Sequence, residues 1–198
     1  MKKETKKIQS LLVANRGEIA IRIINTAKKM NIRTYAIKTS KEPNALYLSF
    51  ADEIIDFTEN LEEISEFLDI ERIIEAAKMH KIDAIHPGYG YLAENPYFAQ
   101  RCDDEKIIFI GPAPDAIYKM GNKTIAKQLA RKYKVPLLEG STGNISSVSE
   151  AVKIAREIGY PVILKAAAGG GGRGMRIVEK ASQMEKMFRL ASNEAQKA

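Results

Sequence analysis

The chain contains no tryptophan, a single cysteine and two histidines. The lone Cys102 excludes an internal disulfide and any metal centre built on clustered cysteines, and it fits a reducing compartment. His80 and His86 are too few for a histidine-based metal site. No run of about 18 apolar residues occurs, so no segment reads as a membrane span. The basic N-terminus leads into Leu11-Leu12-Val13-Ala14, but Asn15 and Arg16 cut that run short, so it does not read as a secretory signal. These absences together give a cytoplasmic expectation. No aromatic-flanked basic stripe accompanies the net charge of +6, which leaves no case for a nucleic-acid partner. The cluster Lys2, Lys3, Lys6 and Lys7 reads as a solvated end.

At 198 residues, 45% hydrophobic and 28% charged, the chain has the length of one large domain or two small ones. Short apolar runs alternate with segments of helical period. Residues 8–14, 34–37, 53–57, 83–86 and 107–110 read as strands. Between them, Ala20, Ile23, Ile24 and Ala27 share one helical face, as do Ile70, Ile73, Ile74 and Ala77 behind Asp69 as N-cap, and residues 95–103 give a further helix. This alternation predicts a parallel sheet with helices on both faces and a ligand crevice at the carboxyl ends of its strands. Gly111-Pro112-Ala113-Pro114 breaks the rhythm and sets a domain boundary. Residues 114–134 then read as one or two helices interrupted at Gly121. Ser147 with Glu150, and Ser182 with Glu185, form capping boxes for two later helices, the second carrying Met184, Met187, Phe188 and Ala191 as a core stripe.

The run Gly169-Gly170-Gly171-Gly172-Arg173-Gly174 is flanked by strand-like Val162-Ile163-Leu164-Lys165 and Met175-Arg176-Ile177-Val178, which predicts a β-hairpin with a glycine tip. Backbone N–H groups there can approach an anion closely, with Lys165 and Arg173 to offset its charge, so a polyphosphate is the expected ligand. The lysine of a Walker loop is missing, and strand rather than helix follows the glycines, which excludes that loop and the dinucleotide fingerprint alike. Lys123 opens a helix in Gly121-Asn122-Lys123-Thr124, a position that suits either an anion ligand or an ordinary surface lysine. His86-Pro87-Gly88-Tyr89-Gly90-Tyr91-Leu92-Ala93-Glu94-Asn95 makes a tight loop after a strand, in which Glu94 reads equally as a helix-capping acid or a site carboxylate.

Taken in order, Val13-Ala14-Asn15-Arg16-Gly17-Glu18-Ile19-Ala20, the 86–95 loop, Phe109-Ile110-Gly111-Pro112, Met120-Gly121-Asn122-Lys123 and Lys165 through Met175 closely resemble the N-terminal part of biotin carboxylase, the first component of acetyl-CoA, propionyl-CoA and pyruvate carboxylases. The resemblance implies an ATP-grasp ligase: a Rossmann-like N-domain followed by the first part of an ATP-grasp domain with its glycine-rich lid. ATP and bicarbonate would give carboxyphosphate, and the carboxyl group would pass to N1′ of biotin on a carrier protein or domain, for use by a carboxyltransferase component. It implies that Lys123 and Lys165 bind the ATP phosphates, that Gly171 and Gly172 cover the nucleotide, and that Met175 lies near the adenine. Tyr89, Gly90 and Glu94 would belong to a biotin-facing wall. Asn122 stands where the family usually has aspartate.

The same resemblance divides the chain into an N-terminal domain (1–112), a helical connector (113–137) and a partial lid subdomain (138–198). It implies a homodimer through the N-domain, with the helix bearing Arg22 facing the interface. The Mg²⁺ ligands and the bicarbonate-binding residues would lie beyond residue 198, so these residues alone are expected to be inactive. Other ATP-grasp ligases, of carbamoyl-phosphate or purine synthesis, and a non-catalytic nucleotide-binding or interaction domain are the competing readings. The Asn15–Ala20 run and the 86–95 loop argue against the other ligases.

Overall fold

The structure is a computed structural model that describes residues 7–59, 65–141, 143, 145–165 and 175–196. The chain divides into two compact units, Met1–Asn122 and Lys123–Ala198.

In the first unit the apolar runs become the strands β1 (Ser10–Val13), β2 (Arg33–Lys38), β3 (Glu53–Asp56), β4 (Ala84–His86) and β5 (Ile108–Phe109). They form one all-parallel sheet in the order β3-β2-β1-β4-β5. Parallel neighbours require crossovers. Helices α1 (Gly17–Lys29), α2 (Ile70–Met79) and α3 (Pro96–Asp104) supply three of them, and a 3-10 turn at Leu46–Phe50 lies between β2 and β3. Right-handed connections put α1 on one face of the sheet and α2 with α3 on the other. The packing agrees, since α1 lies against the 3-10 turn and α2 against α3. Helix α4 (Pro114–Gly121) packs on α3.

The core sits where the periodicity places it. Ala20, Ile23, Ile24 and Ala27 of α1 and Ile73, Ile74 and Ala77 of α2 are buried against Leu12, Val13, Ile37 and Ile85 of the sheet. Each fully buried Ile or Leu side chain contributes about 1.5–3 kcal/mol. At the amino-terminal end of the sheet, Asp83 Oδ2 accepts from Gln9 N, Ser10 N and Ser10 Oγ at 3.0, 3.2 and 3.2 Å, which ties the start of β1 to that of β4. Asp52 does the same for Thr34 of β2, accepting from its N and Oγ1 at 2.8 Å each.

The second unit holds α5 (Lys123–Lys132), α6 (Val148–Ile158), the strands β6 (Val162–Lys165) and β7 (Met175–Val178), and α7 (Met184–Gln196). Strands β6 and β7 pair antiparallel as the expected hairpin. Ala151 and Ala155 of α6 pack with Val178 and Met184, and Met187 and Phe188 lie against them, so the stripe on the last helix is core. Ser147 caps α6 by accepting from Glu150 N at 3.2 Å, while the Glu150 carboxylate reaches Ser146 N at 2.9 Å, one residue beyond the expected box. The Ser182 box does not form. Residues Ala181–Gln183 are a 3-10 turn and α7 begins at Met184, so Ser182 lies inside a helical turn, and Gln183 Oε1 instead accepts from Glu179 N at 2.9 Å.

Candidate functional site

The strand order reverses direction between β1 and β4. Open α/β sheets bind ligands at such a point, outside the carboxyl ends of the strands. Two segments leave the sheet there: residues 14–18 after β1 and residues 87–95 after β4. Both include motifs that the sequence singled out.

Polar side chains join the two segments. Asn15 is buried, and its Nδ2 donates to Pro87 O at 2.7 Å and Tyr89 O at 2.9 Å, while its Oδ1 accepts from Arg16 N at 2.8 Å. Arg16 Nε donates to Tyr91 Oη at 2.6 Å, and its guanidinium pairs with Glu42. The Tyr89 hydroxyl donates to the Glu18 carboxylate. That bond holds the Glu18 carboxyl below its ordinary range and, with the nearby negative charge, raises the Tyr89 phenol above its own. In the sequence the 13–20 run stands only as a family signature, and nothing in it marks Asn15, Arg16 or Glu18 for a role. The one available signal was a polar residue directly after a buried apolar strand.

The loop itself depends on its glycines. Gly88 has φ +66, and a Cβ there would come within 2.5 Å of Asn15 Nδ2. Gly90 has φ +65 and opens onto free space. Tyr91 follows in the left-handed region at φ 40. His86 Nδ1 accepts from Gly88 N at 3.0 Å, and burial lowers the pKa of the imidazole, so both favour the neutral ring. Asn95, not Glu94, caps α3: its Oδ1 accepts from Tyr97 N at 2.9 Å and Phe98 N at 3.1 Å. Glu94 is exposed and has no hydrogen-bond or ion-pair partner among the described residues. Tyr89, Gly90 and Glu94 therefore share one loop, with Tyr89 59% exposed at its surface.

Beside this loop, Arg16, Glu18, Glu42 and Tyr47 line an open cleft of about 630 Å³. The 39–42 segment along it is fixed from below. Glu66 is buried, and its Oε1 accepts from Ser40 N at 2.9 Å and Ser40 Oγ at 2.6 Å. Burial pushes this carboxyl up most strongly, but the Ser40 bonds and other favourable contacts outweigh it and the net shift is downward. The buried Cys102 thiol, pushed up to about 12 by desolvation, is inert packing on α3.

In the second unit, Lys165 and Met175 are cross-strand partners in the β6–β7 register, so a cation and an apolar side chain stand side by side at the last pair of the two strands. Both are exposed. Gly171 and Gly172 lie outside the described residues, and of Lys123 only the backbone, at the start of α5, is described. A cation next to an apolar surface is the pairing that a nucleotide, with phosphates at one end and a base at the other, requires. Among the described residues no group of three His, Cys, Asp or Glu could hold a metal ion.

A doubly wound parallel sheet with a tyrosine-bearing loop at its switch point, and in the second unit an antiparallel pair of strands bearing Lys165 and Met175, define an α/β protein. The family profile described as "Biotin carboxylase, N-terminal domain" matches residues 7–117, and that described as "Carbamoyl-phosphate synthase L chain, ATP binding domain" matches residues 122–198. The chain belongs to the biotin carboxylase N-terminal domain family.

Among its relatives, the chain is 46% identical to a biotin carboxylase of Nostoc over 96% of this chain and 42% of that protein. It is 44% identical to the pyruvate carboxylase of Bacillus subtilis over 96% of this chain and 17% of that protein. Of solved structures, a biotin carboxylase from Campylobacter jejuni in complex with a βγ-ATP ligand matches with TM-score 0.85 and 44% identity, covering 96% of this chain and 43% of that one. The biotin carboxylase domain dimer of the Hydrogenobacter thermophilus 2-oxoglutarate carboxylase, in complex with MgADP, ADP and bicarbonate, matches with TM-score 0.84 and 43% identity, covering 98% of this chain and 42% of that one. The chain thus spans less than half the length of the relatives it matches.

Proposed function

We propose that this chain supplies the N-terminal domain and the first part of the ATP-grasp domain of a biotin carboxylase. The reaction is the ATP- and bicarbonate-dependent carboxylation of biotin on a carrier protein or domain, the first half-reaction of an acyl-CoA or pyruvate carboxylase. The observation that carries the reading is the succession of the two family profiles along one chain, 7–117 then 122–198. The tyrosine loop at the switch point and the Lys165–Met175 pair support it.

In this reading a bicarbonate oxygen attacks the γ-phosphorus of ATP, ADP leaves, and the carboxyl group of the resulting carboxyphosphate moves to N1′ of biotin while phosphate is released and takes up the N1′ proton. Phosphoryl transfer mainly needs positioning and charge neutralisation. Lys165, with Lys123, holds the phosphates, Gly171 and Gly172 cover the nucleotide, and Met175 lies by the adenine. Mg²⁺ supplies further charge neutralisation when bound. Tyr89, Gly90 and Glu94 face biotin. The division into 1–112, 113–137 and 138–198, pairing of two copies through the N-terminal unit near Arg22 of α1, a carboxyltransferase partner and a cytoplasmic location belong to the same reading. No helix of the described residues is long and apolar enough to cross a membrane.

Calorimetric titration of the chain with MgATP tests the nucleotide half of the proposal. Lys165→Ala should weaken binding at least about tenfold, the worth of a charge-assisted phosphate contact. Equal affinity in the variant would remove Lys165 from the phosphate role.

A further inference from the structure

We infer that Asn15 is the positioning residue for the Tyr89–Gly90 wall, acting through the backbone of the loop and not on any substrate. The inference rests on the reading of Tyr89 and Gly90 as biotin-facing.

The register makes the meeting unavoidable. Val13 lies beside His86 in the β1–β4 pair, and Ala14 N donates to His86 O at 3.0 Å. The next residue on each side is Asn15 and Pro87, where the ladder ends and the two chains would diverge. Asn15 continues the connection with its side chain, donating from Nδ2 to the carbonyls of Pro87 and Tyr89 and accepting at Oδ1 from Arg16 N. It is only 3% exposed, so water cannot substitute freely for these bonds.

The chemistry is specific to asparagine. A primary amide offers two donors on one nitrogen and an acceptor beside it. Aspartate of the same shape would aim an oxygen at two carbonyl oxygens. Alanine or leucine would leave two carbonyls and an N–H without partners, and glutamine would carry its amide past them. The loop is also limited from its other side. A Cβ at Gly88 would meet Nδ2, Cγ and Cβ of Asn15 at 2.5, 2.8 and 2.9 Å, so the Gly88 backbone lies directly against the amide that holds its two neighbours, Pro87 and Tyr89. Bonds draw the loop inward and contact stops it. One of the two bonded carbonyls belongs to Tyr89 itself, so the Cα from which the exposed ring projects is set by Asn15.

An asparagine with a merely structural role would lower stability without loosening this loop in particular, and the test separates the two. Asn15→Asp, Asn15→Ala and the chain itself are compared with Thr34→Val, which removes the bonds between Thr34 Oγ1 and Asp52 at the opposite end of the sheet. Amide exchange is read at Gly88 and Ala93, whose N–H groups bond within the loop to His86 Nδ1 and Gly90 O. Free biotin is titrated while the loop signals are followed by NMR. The expected result is exchange at least about tenfold faster at Gly88 and Ala93 in both Asn15 variants than in Thr34→Val, as for the loss of more than one buried hydrogen bond, with a comparable loss of biotin affinity. Exchange at these amides no faster than in Thr34→Val overturns the positioning role. Faster exchange with unchanged biotin affinity, or no response to biotin in the unsubstituted chain, overturns the biotin-facing reading of Tyr89 and Gly90 while leaving Asn15's hold on the loop established. If Asn15→Asp does not fold, Asn15→Ala, which introduces no repulsion, decides.

Discussion

Glu18 and Tyr89 are 71 residues apart in sequence, yet they form a phenol–carboxylate hydrogen bond at the site surface. The bond has a defined pH window. Glu18 titrates below its ordinary 4.5, so what the bond adds to the folded state is present above that value and is lost as pH falls through the lowered one. Tyr89 titrates above its ordinary 10.0, so the donor proton persists past the pH at which a free tyrosine loses it. Both groups are solvent-exposed, and the bond orients the ring more than it stabilises the fold. Glu18→Gln removes the negative charge and the strong acceptor. The Tyr89 midpoint, followed by ring-carbon NMR, should then fall toward 10.0. A midpoint unmoved by the substitution would show that the two side chains do not meet in solution. At this scale the sequence announced the tyrosine loop through its Gly88 and Gly90 spacing. It was silent about Asn15, because an asparagine's burial is decided by a partner 72 residues away.

At the scale of elements, four helices end in the same way, and none of them uses glycine. After α1, Asn31 adopts φ 57, with Asn31 N bonded to Lys28 O and Ile32 N to Ala27 O. Lys81 (φ 53) followed by Ile82, Lys106 (φ 60) followed by Ile107, and Lys134 (φ 56) followed by Val135 repeat the pattern after α2, α3 and α5. Each is a Schellman motif with a left-handed residue at its turn and a β-branched apolar residue next. In the first unit that apolar residue is Ile32, Ile82 or Ile107, which packs with the core at the entry to the following strand region. The motif therefore turns the chain from helix into sheet while burying one side chain.

These stops were hard to read because the usual glycine is missing, although the starts at Asp69, Asn95 and Ser147 were marked by capping residues or proline. Lysine in the left-handed region is strained by its Cβ, and glycine is not. Lys81→Gly and Lys106→Gly should each raise stability by about 0.5–1 kcal/mol, read as a higher urea midpoint at unchanged slope. A lower midpoint would mean that the lysine side chains hold contacts worth more than the strain.

For the whole molecule, alternation of strand and helix was enough to expect a parallel sheet, but not to expect the order β3-β2-β1-β4-β5. Strand order depends on which neighbours pair. Leu11, Leu12 and Val13 of β1 supply the central strand that β2 and β4 share. A fully apolar short run flanked by two βα units is what a central strand looks like, since both of its faces are covered. The hairpin was legible from apolar runs around the glycines, and the Ser182 box failed because a 3-10 turn occupies its place.

The two units also differ in how much core they own. The cluster of the first runs from Leu11 to Ile107, whereas that of the second has Ala151, Ala155, Val178 and Met184 as its buried members. Among the described residues the two clusters share no member. A small core has little redundancy, so one cavity removes a large fraction of its stability. Met184→Ala should therefore cost the second unit about 2–5 kcal/mol and bring its unfolding well below that of the first. Amide exchange at Ile24, Ile74 and Ile85 should stay as in the unsubstituted chain, and calorimetry should show a low-temperature transition separating from a main one that does not move. A single transition displaced as a whole would mean that the two cores melt as one cooperative unit.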